Sequence, residues 1–472
     1  MGDVIMVEEG RGSESAAALA GREESNGALM RQLLLLAAPV WVEQILHMLV
    51  GLNDTYLANH LPSHAADAGA AVGTITYFIW FIGLLVSAIG AGSTALIARA
   101  KGAMHRSLAN KVTGQSISAA IILGIVVGAA LFLGGRQIVE ATQLQGLAKS
   151  FALQYLRMLS VSLPFTTVMF VAGACRRGGG DTLTPAIVMV MVDVVNMVSS
   201  FALTRGWWGL PAMGFVGIAS GTIIAYVVGG VAEFLVVWFG TSGARLYIHR
   251  MWPHWHTVRR LLRIGVPAGV ESLLVWFANF GVIAVINRMD ATNASSSAHM
   301  NTIRLESISF LSGIAFATAA ATMVGISLGR KDPRRAQRCA LLAYVAGGGV
   351  MIACGILMIT LGYYPAKWLS PDDGHIVALT AKCLRITGFV QAGFAANLIF
   401  GGALRGAGDT LVVMGLNLAT VIGLRFTGVM FVGLYLKLGL AAVWMVLAGE
   451  LFVRGVLIFG RFLQGGWRDL AV

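Results

Sequence analysis

The chain has 472 residues, 57% of them hydrophobic and only 12% charged, with a mean hydropathy of +0.77. A soluble domain carries about twice that charged fraction, so a water-soluble globular protein is excluded and membrane-spanning helices are expected. The net charge of +12 does not point to nucleic acid, because the lysines and arginines sit in short loops between apolar runs, where they set topology.

In chain order, residues 1–28 are polar, with Glu8, Glu9, Glu14, Glu23 and Glu24 against Arg11 and Arg22. They lack the apolar core of a cleavable signal and read as a disordered cytoplasmic tail. Twelve spans follow, at about 29–60, 70–98, 112–134, 150–174, 184–203, 214–240, 263–288, 298–326, 339–362, 376–402, 411–433 and 440–461. Each is long enough to cross roughly 30 Å of hydrocarbon at ~1.5 Å per residue. The first six form a lobe at 29–240 and the last six a lobe at 263–463, with a short cytoplasmic tail at 464–472. Between the lobes, the basic linker 241–262 carries His249, His254 and His256 with Tyr247, Trp252 and Trp255. It reads as an amphipathic interfacial connector rather than a metal site.

One set of loops is rich in basic residues: Arg99, Lys101, Arg106 and Lys111, then Arg176 and Arg177, then Arg330, Lys331, Arg334, Arg335 and Arg338. The opposite loops are poor in them. The positive-inside rule puts the rich side, the linker and both termini in the cytoplasm.

The stretch Arg177-Gly178-Gly179-Gly180-Asp181-Thr182 recurs as Arg405-Gly406-Ala407-Gly408-Asp409-Thr410, 228 residues on. The same offset carries Pro39 onto Pro267, Glu43 onto Glu271 and Thr94 onto Thr322. The chain is therefore two copies of a unit of roughly 210 residues. An even number of spans precedes the second copy, so both copies enter the membrane in the same direction. The expected fold is an all-α membrane protein of twelve helices in two parallel-repeat six-helix bundles. Transporters use such repeats to rock two bundles about a central site.

The glycine-rich stretch lacks the lysine and the preceding strand of a Walker loop, so ATP hydrolysis is not expected. It suits a tight cytoplasmic turn, with Gly178 and Gly180 supplying positive φ and Asp181 or Thr182 capping the next helix. Cys175, Cys339, Cys354 and Cys383 are far apart and form no C-x-x-C. No metal site, disulfide framework, cofactor or enzyme activity is expected.

Ionisable groups inside spans are the place to look for function. In span 1, Pro39 permits a kink, Glu43 and His47 share a face, and Asp54 lies nearer the outer end. In span 5, Asp193, Asn196 and Ser200 share a face, and span 6 carries Thr222. Counted from the outer helix ends, Asp54, Asn196 and Thr222 lie at one depth. Their oxygens suit a proton or Na⁺, with helix–helix hydrogen bonding as the alternative. In the second half, Glu271 stands four residues after Pro267, as Glu43 does after Pro39. Glu43, His47, Glu271, Glu306 and Gln391 are candidates for the substrate cavity, with a shared structural role near the kinks as the alternative for the two repeat-mate glutamates. Glu450 and Arg454 are spaced as an ion pair. Trp41, Tyr77, Trp80 and Trp276 would suit flat hydrophobic cations by cation–π contact.

The two copies of the Arg-Gly motif, the runs Arg304–Phe310 and Ala319–Gly325, and Pro267 to Glu271 resemble the multidrug and toxic compound extrusion (MATE) family, prokaryotic branch. The resemblance covers about residues 29–463. It implies a secondary antiporter with two lobes around a central cavity, exporting organic, often cationic compounds in exchange for H⁺ or Na⁺. It further implies a coupling site built from an aspartate on helix 1, an asparagine and an aspartate one turn apart on helix 5, and a threonine on helix 6. Asp54, Asn196 and Thr222 match three of these positions. The fourth is Ser200, a departure that removes a carboxylate; Asp193, one turn away on the same face, is a substitute, and a single carboxylate suits a proton better than Na⁺. The expected partners are small organic substrates and the lipid bilayer, with no nucleic acid, in a chain working as a monomer in the bacterial inner membrane. The alternative is a lipid-linked oligosaccharide flippase of the same superfamily, which would favour a strongly basic cavity. Here Arg157, Arg304, Arg385 and Arg425 are balanced by Glu43, Asp54, Asp193, Glu271 and Glu306.

Overall fold

The computed structural model describes residues 24–240, 245–252, 254–289 and 294–470. In hydrocarbon the backbone must satisfy its own hydrogen bonds, so apolar runs of this length become helices. The first half contributes α1 (Asn26–Asn59), α2 (Ala65–Gly102), α3 (Arg106–Ala141), α4 (Gly146–Gly178), α5 (Leu183–Arg205) and α6 (Phe215–Phe239). The second contributes α7 (Trp255–Ile286), α8 (Ala294–Gly329), α9 (Pro333–Leu361), the short α10 (Tyr363–Leu369), α11 (Gly374–Phe389), α12 (Gln391–Ala407), α13 (Thr410–Tyr435) and α14 (Leu440–Gln464). Among the described residues, eleven helices are long and apolar enough to span a membrane, and α11 with α12, bent by 57°, makes a twelfth span. α13 contains two π-helical stretches, Val421–Phe426 and Phe431–Tyr435.

Three boundaries differ from the sequence reading. Helix α1 begins at Asn26 because the Ser25 hydroxyl accepts the Ala28 N–H at 3.2 Å, a helix N-cap. Glu24 is pinned by Arg335 at 3.0 Å, and the rest of the expected tail lies outside the described residues. Helix α7 begins at Trp255, eight residues inside the expected linker, because Thr257, Leu261 and Ile264 bury one helical face. Residues 464–470 are docked rather than free. Trp467 is buried against Phe462 at 5.1 Å, and the Leu470 carbonyl accepts from Arg99 Nη1 at 2.7 Å.

Helices α1 and α7 straddle the two bundles. Leu29, Leu33 and Ala37 of α1 pack with Phe316, Ala319 and Met323 of the second bundle, whereas Val50 packs with Met169, Val192 and Tyr226 of the first. Leu261 and Ile264 of α7 pack into the first bundle, whereas Val282, Val285 and Ile286 belong to the second. Pro39 and Pro267 lie inside these helices where each changes partner. A proline there removes a backbone hydrogen bond and makes the crossing point compliant.

The bundles are joined tightly at the end that carries the basic loops, called the basic end below. Arg99 Nη2 donates to the Ala407 carbonyl at 2.7 Å, and the Thr322 hydroxyl to the Arg177 carbonyl at 3.1 Å. α2 and α8 cross glycine against glycine: a Cβ on Gly102 would lie 2.0 Å from the Ile326 carbonyl oxygen, and one on Gly329 2.2 Å from that of Arg99. The connector is strapped to α3, with Ser118 Oγ donating to the Met251 carbonyl at 2.8 Å and Arg250 Nη1 to that of Ser107 at 2.8 Å.

The repeated turn takes positive φ at Gly180 (76°) and at its mate Gly408 (87°). Gly178 is instead helical, contrary to the sequence reading. It is small because a Cβ there would lie 2.7 Å from the Thr94 carbonyl oxygen. Asp181 Oδ1 accepts the Thr184 N–H at 3.1 Å, and its second oxygen takes Arg176. Burial opposes ionisation of Asp181, but the Thr184 N–H and the Arg176 charge outweigh it and hold the carboxyl below its ordinary value.

Candidate functional site

Asp54 lies toward the end of α1 opposite the basic end, 3% exposed, where α4, α5 and α6 surround it. Its Oδ2 accepts from the Tyr155 hydroxyl at 2.7 Å and from the Thr222 hydroxyl at 2.7 Å. Asn196 Nδ2 reaches Oδ1 at 3.5 Å, donates to Thr222 Oγ1 at 2.9 Å and lies 3.4 Å from Ser200 Oγ. Asn53 Nδ2 donates to Asn196 Oδ1 at 2.8 Å, which fixes the amide. The structure therefore brings Asp54, Asn196, Thr222 and Ser200 together. No cation pairs with Asp54 among the described residues. A buried carboxylate costs several kcal/mol, and bonds to a charged acceptor return about 1.5–3 kcal/mol each. The two short hydroxyl bonds thus offset much of the burial cost, leaving a group that a proton or a small cation can neutralise.

Asp193 is not part of this network. It is half-buried, and the described residues offer its Oδ2 no hydrogen-bond partner. His47 stacks on Phe170 with ring centres 4.9 Å apart. Glu43 Oε1 takes Arg177 Nη1 at 2.6 Å, and its repeat mate Glu271 Oε1 takes Arg405 Nη2, also at 2.6 Å. Asn417 also donates to Glu271. In the second bundle Thr387 donates to Glu306, and Ser309 Oγ to Gln391 Oε1 at 2.7 Å. Glu450 Oε2 accepts from Arg454 Nη2 at 2.7 Å and from Arg425 Nη2 at 2.7 Å; Arg425 Nη1 continues to Asn279 at 2.7 Å. Trp41, Tyr77 and Trp80 are exposed, and Trp276 packs edge-on to Phe81 across the bundles at 5.7 Å. An apolar groove of about 780 Å³ lies between the basic-end halves of α1 and α5, remote from Asp54.

Two residues escaped the sequence reading. Tyr155 stands six residues inside the outer start of span 4 as read from the sequence, so the depth count used for Asp54 would have found it. Glu233 is the one acid of α6 and is 1% exposed. An ionisable side chain within a span was the available signal.

A family model described as MatE matches residues 39–202 and, a second time, residues 267–431. The chain belongs to the MATE family. It is an integral membrane transporter and not an enzyme. The two matches begin at Pro39 and Pro267, the prolines at which α1 and α7 change bundle. A Thermotoga maritima protein named probable multidrug resistance protein NorM is 28% identical over 447 residues, covering 94% of this chain and 94% of the relative. The multidrug resistance protein PmpM of Pseudomonas aeruginosa is 25% identical, covering 84% and 82%. The fold is also that of a solved structure titled as the outward-facing conformation of a multidrug resistance MATE family transporter, with a TM-score of 0.85 at 18% identity over 95% of this MATE chain and 100% of that one.

Proposed function

We propose that this MATE protein is a secondary multidrug efflux antiporter of the bacterial plasma membrane, exporting organic, often cationic compounds in exchange for protons. The observation that carries the proposal is the donor set around Asp54. Tyr155, Thr222 and Asn196 all present N–H or O–H groups to it. Na⁺ would need several oxygens turned toward it, yet the Asn196 carbonyl oxygen already accepts from Asn53 and the helix-5 position one turn on is Ser200. One carboxylate takes one proton and becomes neutral. The multidrug names of the full-length relatives support the substrate class. The flippase alternative draws no support from them.

The mechanism follows from α1. Its outer half is held to the first bundle through Asp54, its basic-end half is held to the second through Leu29, Leu33 and Ala37, and Pro39 lies between. With the basic loops cytoplasmic, the tight joint at the basic end makes this an outward-facing state. A proton arriving from outside removes the charge that the two hydroxyls hold, loosens α1 from α4 and α6, and transmits the change through Pro39 to the joint between bundles. Linkage requires that drug and proton each weaken binding of the other.

The test is dye export from reconstituted vesicles under a pure pH gradient and, separately, a pure Na⁺ gradient. Export is expected with the pH gradient alone and to fall at least tenfold in Asp54→Asn. Export driven only by Na⁺, or unaltered in that variant, would overturn the proposal.

A further inference from the structure

The region of α1, α4 and α6 nearest the basic end holds a second group of buried ionisable residues that the mechanism above does not use. A cavity of about 20 Å³ lies there, with Glu43 and Glu233 on its wall. About 10–15 Å³ accommodates one water. The rest of the wall is apolar: Met169, Phe170, Pro185, Val188 and Met189. Glu43 Oε2 and Glu233 Oε2 are both fully buried, with no hydrogen-bond partner among the described residues. Glu43 keeps Arg177 on its other oxygen.

We propose that Glu43 and Glu233 form a second proton site, in which the two carboxyl groups share one proton across a single trapped water. Charge counting supports it. α4 contributes Arg176 and Arg177, the α4–α5 turn contributes Asp181, α1 contributes Glu43 and the neighbouring His47, and α6 contributes Glu233. α5 presents only Pro185, Val188 and Met189 to the cavity. Lys101, exposed, reaches the Gly179 carbonyl nearby. Arg176, buried, and Arg177, half-buried, thus face three carboxylates. Asp181 is already committed to Arg176 and Thr184 with Lys101 beside it, and Glu43 Oε1 to Arg177, which leaves Glu233 without an ion-pair partner among the described residues. One carboxyl is in excess, and an uncompensated buried charge is costly; a proton removes it. A metal cation fits poorly, because hard cations need about six oxygens and this wall supplies two carboxyl groups amid thioether, aromatic and aliphatic carbon. Glu43 and Asp54 are eleven residues apart on α1, three turns on one face and about 16 Å along the axis. The second site therefore lies between the coupling carboxylate and the basic end.

Infrared spectroscopy of the lipid-reconstituted full chain tests this. In an Asp54→Asn background at neutral pH, a carboxylic-acid C=O stretch of one-group amplitude is expected, and adding either Glu233→Gln or Glu43→Gln should remove it. Other protonated acids cancel in the difference. If Glu233→Gln fails to accumulate, Glu43→Gln carries the same reading. Superimposable spectra with and without the second substitution would overturn the site. Transport driven by Na⁺ would overturn the function proposed above and leave this site standing, so the two failures are distinguishable.

Discussion

The two bundles descend from one sequence pattern, yet they use charge in opposite ways. At the 228-residue offset Thr222 corresponds to Glu450, Asp54 to Val282 and Tyr155 to Cys383. The first bundle places its carboxylate on α1 among neutral donors. The second places one on α14 between two guanidiniums, Arg425 and Arg454, with Arg425 inside a π-helical stretch of α13. What the repeat retains is the frame: the Glu43–Arg177 and Glu271–Arg405 pairs at 2.6 Å, and the turn glycines at positive φ. What it changes is whether the charge can be discharged. Asp54 becomes neutral with one proton. Glu450 cannot, because neutralising it would leave two buried cations facing each other.

Substitution should expose that difference. Glu450→Gln removes the anion between two buried cations, and breaking such a pair costs about 3–5 kcal/mol. A large fall in thermal midpoint and yield of the purified protein is expected. Asp54→Asn replaces a carboxylate that has only neutral partners, and its stability cost should stay within about 1–3 kcal/mol, while pH-driven dye export collapses. If Glu450→Gln left the midpoint unchanged, or Asp54→Asn lowered it more, the contrast between a locked and a titrating carboxylate would fail.

The fold was legible because hydropathy, the basic loops and the repeated motif all act at long range in sequence and need no packing detail. The meeting of Asp54, Asn196 and Thr222 was legible because helical rise converts residue counts into depth. The partners that complete the picture were not. Glu43 and Glu271 face Arg177 and Arg405, 134 residues away in each case, and no periodicity pairs residues on separate helices. Asp193 shares a helix face with Asn196 yet stays out of the Asp54 network, since a shared face does not determine which helix it meets. The bend between α11 and α12 also escaped, because the stretch 376–402 reads as one continuous span and its kink at Val390 contains no proline.

A gentler probe of the first bundle is Tyr155→Phe, which deletes one hydroxyl donor to Asp54 and little volume. Donors to the ionised form favour it, so losing one eases protonation. The profile of dye export against external pH should move toward higher pH by about one unit, the equivalent of ~1.4 kcal/mol, without loss of folded protein. An unmoved profile would mean that the Tyr155 bond is structural only.

The smallest effect, and the sharpest check on what the repeat preserves, lies at the turn glycines. Gly180→Ala and Gly408→Ala each force a Cβ residue into φ of 76° and 87°, at roughly 1–2 kcal/mol. The expected outcome is a small and equal fall in thermal midpoint for the two variants, with export unchanged. Equal losses would assign both glycines to backbone geometry alone. An export defect confined to Gly180→Ala would place a working part at the first turn, beside Asp181 and Arg176, which the second bundle replaces with Asp409 held by Arg461 at 2.8 Å. The frame would then differ between the bundles too, and the division between a shared scaffold and a diverged charge would have to be redrawn at that turn.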